Sequence, residues 1–373
     1  MMKVPFLDMW RMHGPLEEEF VSSFRKILGK NGFTKGSELM EFENNFSNWI
    51  GTNFCTGVGS GHDALVLGLQ ACGLKPGERV IAPAMTFIST ISSIIQAGGK
   101  PVLVDVDSEG LIDLDAVESL IKEGIEFMVP VHLYGQMVCP KRLIALKEKY
   151  GVKIFEDCAQ AHGAERDGHR AGTLGDGAAY SFYPGKNLGA LGDGGAFVTN
   201  NEDFYKKMIA LREHGQTKKY FHKYIGSTSR LDNIQASFLD IKLRYMDEWN
   251  FQRINVARNY SKLIKNPSVN VVSKKLDGSH VYHLMIVTTD HPKKLMEHLD
   301  SKQVGFGRHY PIPIHHLECF KKFGWEKSSF PNAEYIAYNS ISLPVFPGMS
   351  DSEVEQVCEA INSFKVLDLS AVA

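Results

Sequence analysis

Short runs of β-branched and apolar residues recur through the first half of this chain, with amphipathic stretches between them: RVIAP, KPVLVDVD, FMVPVHLYG, VKIFEDCAQ, AAYSFYP and GGAFVTN. This alternation predicts an α/β sheet flanked by helices. Several runs are apolar almost throughout, as strands covered on both faces must be. AVESLIKEG and PKRLIALKEKYG carry apolar residues at helical spacing and end in glycine, as crossover helices do. Beyond about residue 235 the texture changes. IQASFLDIKLRYMDEWNFQRINVARNYSKLI predicts a long connecting helix without glycine or proline, and HVYHLMIVTT, PKKLMEHLDSK and SISLPV predict a smaller α+β unit. The expected organisation is a large domain over 1–245 with a mostly parallel sheet and a small C-terminal domain over 246–373, with the N-terminal segment free to pack against the small domain.

A chain of 373 residues is long enough for such a pair of cores. The 41 basic and 43 acidic residues give a net charge of −2, so no global field draws the protein to nucleic acid or to an anionic membrane. Any anionic ligand must be met locally. The six cysteines are scattered, without CxxC pairs or metal-ligand spacing, and read as reduced thiols of a cytoplasmic protein with no metal site. The opening MMKVPFLDM lacks the apolar region of a signal peptide. Between Arg79 and Lys100 no residue is charged, but Pro83, Gln96 and many hydroxyls make this a buried strand running into a helix, not a membrane span.

The chemistry concentrates in EDCAQAHGA, from Glu156, and YSFYPGKNLGALGDGGA, from Tyr180. Asp157 closes a strand-like run, where ligands of open α/β sheets bind, and Lys186 follows another. A pyridoxal-phosphate (PLP) enzyme needs a lysine for its Schiff base and an acid to keep the pyridine nitrogen protonated. Lys186 and Asp157 meet that need, although either alone reads more readily as a surface lysine or a hydrogen-bonded strand-end aspartate. A phosphate also needs a helix N-terminus with unhindered amides. GVGSGHDALVLGLQA offers Gly61 and His62 for it, with Ser181 as a hydroxyl donor. PGKN fails as a P-loop because Asn187 follows the lysine, and GVGSGH fails the dinucleotide fingerprint because His62 stands where the third glycine belongs.

With VPFLD, NGFTKGSELMEFE, PAMTFIST, VHLYGQ, SRLDNIQA, HYPIPIH and LPVFPGMSDSEV added, the chain resembles, nearly end to end, the nucleotide-sugar aminotransferases of the DegT/DnrJ/StrS type. The resemblance implies the aspartate-aminotransferase fold (PLP fold type I) and a homodimer with its active site at the subunit interface. It gives Lys186 as the Schiff-base lysine, Asp157 as the partner of the pyridine nitrogen, Gln160 as the neighbour of the ring hydroxyl and Phe87 as the ring stacked on the cofactor. Two positions depart from the pattern. His62 replaces the usual threonine or leucine, and Thr228 replaces an asparagine that reaches the phosphate from the partner subunit. His309, Tyr310 and His315 match positions near the substrate, and Tyr183 lies close to Lys186 in sequence, although histidines flanked by prolines serve equally well as rigid-loop residues. The implied reaction moves an amino group from L-glutamate to a nucleotide-linked keto-sugar, with a dTDP-3-keto-6-deoxyhexose favoured over 4-keto sugars on UDP, GDP or dTDP. The alternatives are the family's sugar dehydratases, which carry histidine in place of the lysine, and a non-catalytic sensor.

Overall fold

The computed structural model describes residues 3–366. Seven strands form the main sheet: β1 (Phe54–Val58), β2 (Arg79–Pro83), β3 (Lys100–Val104), β4 (Phe127–Met128), β5 (Lys153–Asp157), β6 (Gly177–Ser181) and β7 (Gly195–Thr199). Their order is β1-β7-β6-β5-β4-β2-β3, and only β7 runs against the rest. The carboxyl ends of β1, β2, β5 and β6 therefore share one rim. β2 to β6 are buried almost throughout, which is why their sequences are apolar on both faces.

The uncharged stretch after Arg79 forms β2 and the helix Ile88–Gln96, and no helix among the described residues is long and apolar enough to cross a membrane. All six cysteines are free. The expected single long helix is two. Asn233–Leu243 ends at a turn in which Tyr245 donates its N–H to the Lys242 carbonyl, and Met246–Leu263 continues from there. The break lets each helix follow its own packing. Ala236, Leu239 and Leu243 belong to the core beneath the sheet, whereas Val256, Ala257 and Tyr260 join a second core under three antiparallel strands, β8 (Asn270–Val271), β9 (Met285–Thr288) and β10 (Ser340–Leu343). The N-terminal segment packs with this second core: Val4 is fully buried there, and its backbone pairs with that of Val304.

Arg11 secures the same segment by a bidentate pair with Glu353, at 2.7 Å for both contacts. The hydrogen bond from Arg11, against the cost of burial, holds the Glu353 carboxyl down to about 2. A depressed carboxyl pKa stabilises the fold fully above pH 4.5, and that contribution is lost as pH falls through about 2. Glu353→Gln should cost roughly 2 kcal/mol at neutral pH, after allowance for the partly exposed Arg11. Its melting temperature should fall below that of the parent at pH 7 and converge with it towards pH 2, and parallel curves across that range would contradict this.

Candidate active site

A cavity of about 450 Å3 opens at the shared rim of the sheet, within the range of small-molecule sites. Its first wall is the turn from β1 into the helix Gly61–Ala71. Ser60 is extended and its hydroxyl accepts from the Asp63 N–H at 3.1 Å, which caps the helix. The amides of Gly61 and His62 remain without an intrahelical acceptor, and both residues line the cavity. A Cβ on Gly61 would lie 2.5 Å from the Ser181 Cβ, so only glycine lets the turn meet the end of β6. Ser229 braces the turn from behind, accepting from the Gly59 N–H at 3.0 Å and donating to Asp63 at 2.8 Å. Gly61→Val overpacks this junction by about 1–3 kcal/mol, which should cut PLP affinity roughly tenfold or more. Spectrophotometric titration of apoprotein with PLP measures it, and unchanged affinity would exclude the turn from the cofactor site.

Asp157 ends β5 with its side chain in the cavity wall, 5% exposed. Thr90 Oγ1 donates to one carboxylate oxygen at 2.8 Å and the Ala159 N–H to the other at 3.1 Å. Burial nevertheless pushes its pKa up, because these donors, Lys186 and His132 offset the lost water only in part. Among the described residues none forms an ion pair with this carboxylate, and Lys186 is the main charge acting on it. Glu156, one residue earlier and on the opposite face of the strand, behaves differently. Burial opposes its charge, but it accepts from His132 Nε2 and from the amides of Gly172, Leu174 and Gly175 at 2.8–3.0 Å, and its pKa is lowered. Since the Val138 N–H donates to His132 Nδ1, the proton of that imidazole sits on Nε2, facing Glu156.

Lys186 stands in a tight turn, its N–H bonded to the Tyr183 carbonyl at 2.8 Å. Asn187 fixes the turn from within by donating to Asn250 Oδ1 and to the Val281 carbonyl. Protein packed around the Lys186 ammonium pushes its pKa down to about 8 despite the attraction of Asp157. Gln160 accepts from the Tyr134 N–H at 2.6 Å and donates to the Tyr310 hydroxyl at 3.0 Å. The Tyr310 ring tilts against Phe87 with centroids 5.2 Å apart. Phe87 is 47% exposed, so it is a cavity ring and not a core phenylalanine.

Ten of the twelve residues expected from sequence to serve the site or its substrate line this cavity: Gly61, His62, Phe87, Asp157, Gln160, Ser181, Tyr183, Lys186, His309 and Tyr310.

 The other two, Thr228 and His315, do not. Thr228 is exposed, and its hydroxyl lies 2.6 Å from His214 Nε2. His315 is buried away from the cavity, with Nε2 3.2 Å from Glu334. Pro313 and the short 3₁₀ turn Ile314–His316 carry it there, tied by the Ile314 N–H to the Ala84 carbonyl. Tyr183 stands at the mouth, 60% exposed, and His309 is half-buried, stacked on Phe6 and held through Nδ1 to Ser342. The sequence reading missed Thr90, which orients Asp157, and also His283 and Arg253, which line the cavity.

PLP fits these residues. The free amides of Gly61 and His62 suit a phosphate, the buried and cation-poor Asp157 suits a protonated ring nitrogen, and Lys186 is a lysine with a lowered pKa. On this sheet order, such a site defines a PLP-dependent transferase of fold type I. Residues 15–362 match the DegT/DnrJ/EryC1/StrS aminotransferase family, and the chain belongs to it. It is thus a PLP-dependent aminotransferase. The chain is 39% identical to the dTDP-3-amino-3,6-dideoxy-alpha-D-galactopyranose transaminase of Aneurinibacillus thermoaerophilus, over 97% of this chain and 99% of that one. It is 35% identical to a pleiotropic regulatory protein of Geobacillus stearothermophilus, over the same shares of the two chains. The crystal structure of DesV from S. venezuelae superposes with a TM-score of 0.93 at 36% identity, covering 97% of this chain and 98% of that one.

Proposed function

We propose that this chain transfers an amino group from L-glutamate to a keto-sugar carried on a nucleoside diphosphate, with a dTDP-linked 3-keto-6-deoxyhexose as the preferred acceptor. The observation that carries the reading is Lys186 beside the buried Asp157 in one cavity, since a sensor needs neither a lysine of lowered pKa nor a charge aimed at a ring nitrogen. The name of the A. thermoaerophilus relative supports a dTDP-sugar aminated at C3. The regulatory name of the G. stearothermophilus relative keeps a sensor as the second reading.

Bound PLP supplies an electron sink for the carbanion formed at the amino donor. The chain's residues do the rest. Asp157 holds the proton on the ring nitrogen, and Thr90 and the Ala159 amide hold Asp157 in place. With PLP held there, Lys186, when neutral, would be the base that accepts the proton from the donor α-carbon and gives it up again. Phe87 would stack on the bound ring, and Gln160, fixed by the Tyr134 amide, would neighbour the ring hydroxyl. Tyr310 keeps its proton, because burial first and then Asp157 push its pKa up, so it serves as a donor. Two copies of the chain form the working unit in this reading. Tyr220, Phe221 and Ile225, which is 99% exposed, project from a hairpin just before Thr228 and suit a surface covered by a partner.

The test is a panel of dTDP-, UDP- and GDP-linked 3-keto and 4-keto sugars with L-glutamate, read as 2-oxoglutarate and amino-sugar formed. Turnover should be highest with the dTDP-linked 3-keto sugar. Amination of 4-keto sugars alone would reverse the positional assignment, and a cofactor band indifferent to every amino donor would favour the sensor.

A further inference from the structure

Arg253 lies on the helix Met246–Leu263, is 1% exposed and lines the cavity. Its Nη1 donates to the carbonyls of Val345 at 2.7 Å and Tyr282 at 3.3 Å, which fixes the guanidinium plane. Nε and Nη2 are buried without a hydrogen-bond partner among the described residues. These two N–H groups form the side-on edge of a guanidinium, the fork that matches the two oxygens of a carboxylate. A buried charge without a counter-ion is expensive, and burial alone pushes this arginine down to about 9. The carboxylates lining the cavity do not supply the missing partner: Asp157 is held by Thr90 and the Ala159 amide, and Asp193 is exposed. The cavity lining also includes His283, Leu284 and Val345, none of them acidic, and burial pushes the His283 pKa well down.

We propose that Arg253 is the carboxylate receptor of this cavity, binding one carboxylate of the amino-acid donor side-on through Nε and Nη2 and releasing it with the keto acid. The inference rests on the reading that the donor is an amino acid. A pyrophosphate is bulkier and more highly charged than this enclosed fork accommodates, whereas a planar carboxylate matches it. Neither nitrogen touches solvent, so the ligand reaches them through a side-chain shift of the kind that commonly accompanies binding.

The test compares holoenzyme with Arg253→Gln and Arg253→Lys, following cofactor conversion by L-glutamate, the return reaction with the nucleotide keto-sugar, and glutarate binding by calorimetry. Arg253→Gln should raise the glutamate concentration for half-maximal conversion about a hundredfold, the loss expected when one partner of a buried charge pair is removed. Glutarate binding should weaken in step, and the KM for the nucleotide sugar should stay within about twofold. Arg253→Lys, which keeps the charge but not the fork, should fall between. Should Arg253→Gln fail to fold, the wild-type enzyme decides: either isoglutamine, the α-amide, or glutamine, the γ-amide, should lose about a hundredfold against glutamate. An unchanged glutamate response, equal losses in both half-reactions, or amides as good as glutamate would overturn the assignment. If no amino acid converts the cofactor at all, the amino-donor reading fails, and the receptor assignment fails with it.

Discussion

Lys186→Ala should reduce amino transfer at least about a thousandfold, because the change removes both the covalent anchor of PLP and the base that moves the proton. The lowered pKa makes this lysine suited to the second task. At about 8, near one lysine in ten is neutral at pH 7, whereas an unperturbed amine would be almost wholly protonated. Lys186→Arg should lose as much, since a guanidinium keeps the charge but stays protonated. The distinguishing measurement is single-turnover conversion of the cofactor by L-glutamate. If Lys186→Ala converted it within tenfold of the parent rate, another group would have to be the base. Capture of PLP by the apoprotein should likewise rise with pH around a midpoint near 8 as Lys186 loses its proton.

Asp157→Asn should lower kcat about a hundredfold or more while leaving substrate KM values nearly unchanged. Asparagine preserves shape and one acceptor but removes the charge that keeps the ring nitrogen protonated. Burial pushes the Asp157 carboxyl up, so a cation opposite it would favour its charged form. Thr90→Val should have a smaller effect in the same direction, because Thr90 acts through Asp157 and Ala159 still donates to the other oxygen. Equal kcat for Asp157→Asn and the parent would separate this carboxylate from the chemistry.

The layered fold was legible because strands covered on both faces must be apolar, and β2 to β6 are. The position of β7 was not, since its antiparallel pairing between β1 and β6 leaves no trace in GGAFVTN. Neither was the break at Tyr245, where no glycine or proline marks the change of packing partner. In the site, the residues carried by EDCAQAHGA, the glycine turn and the Lys186 turn converge as expected, because short local motifs fix their own geometry. His315 diverges because the path after Pro313 leads it away from the rim. Thr90 was hidden, one hydroxyl among many in MTFISTISS. Arg253 did leave a signal: a charged residue on the buried stripe of Trp249, Val256 and Tyr260 needs a counter-ion, and the described residues provide none.

Borohydride reduction of the purified holoenzyme, followed by digestion and peptide mass mapping, tests the covalent assignment most directly, because reduction fixes the cofactor to whichever amine holds it. The expected result is a pyridoxyl group on Lys186 alone. A label on any other lysine, or a protein that retains no PLP to be fixed, would contradict the assignment of this cavity.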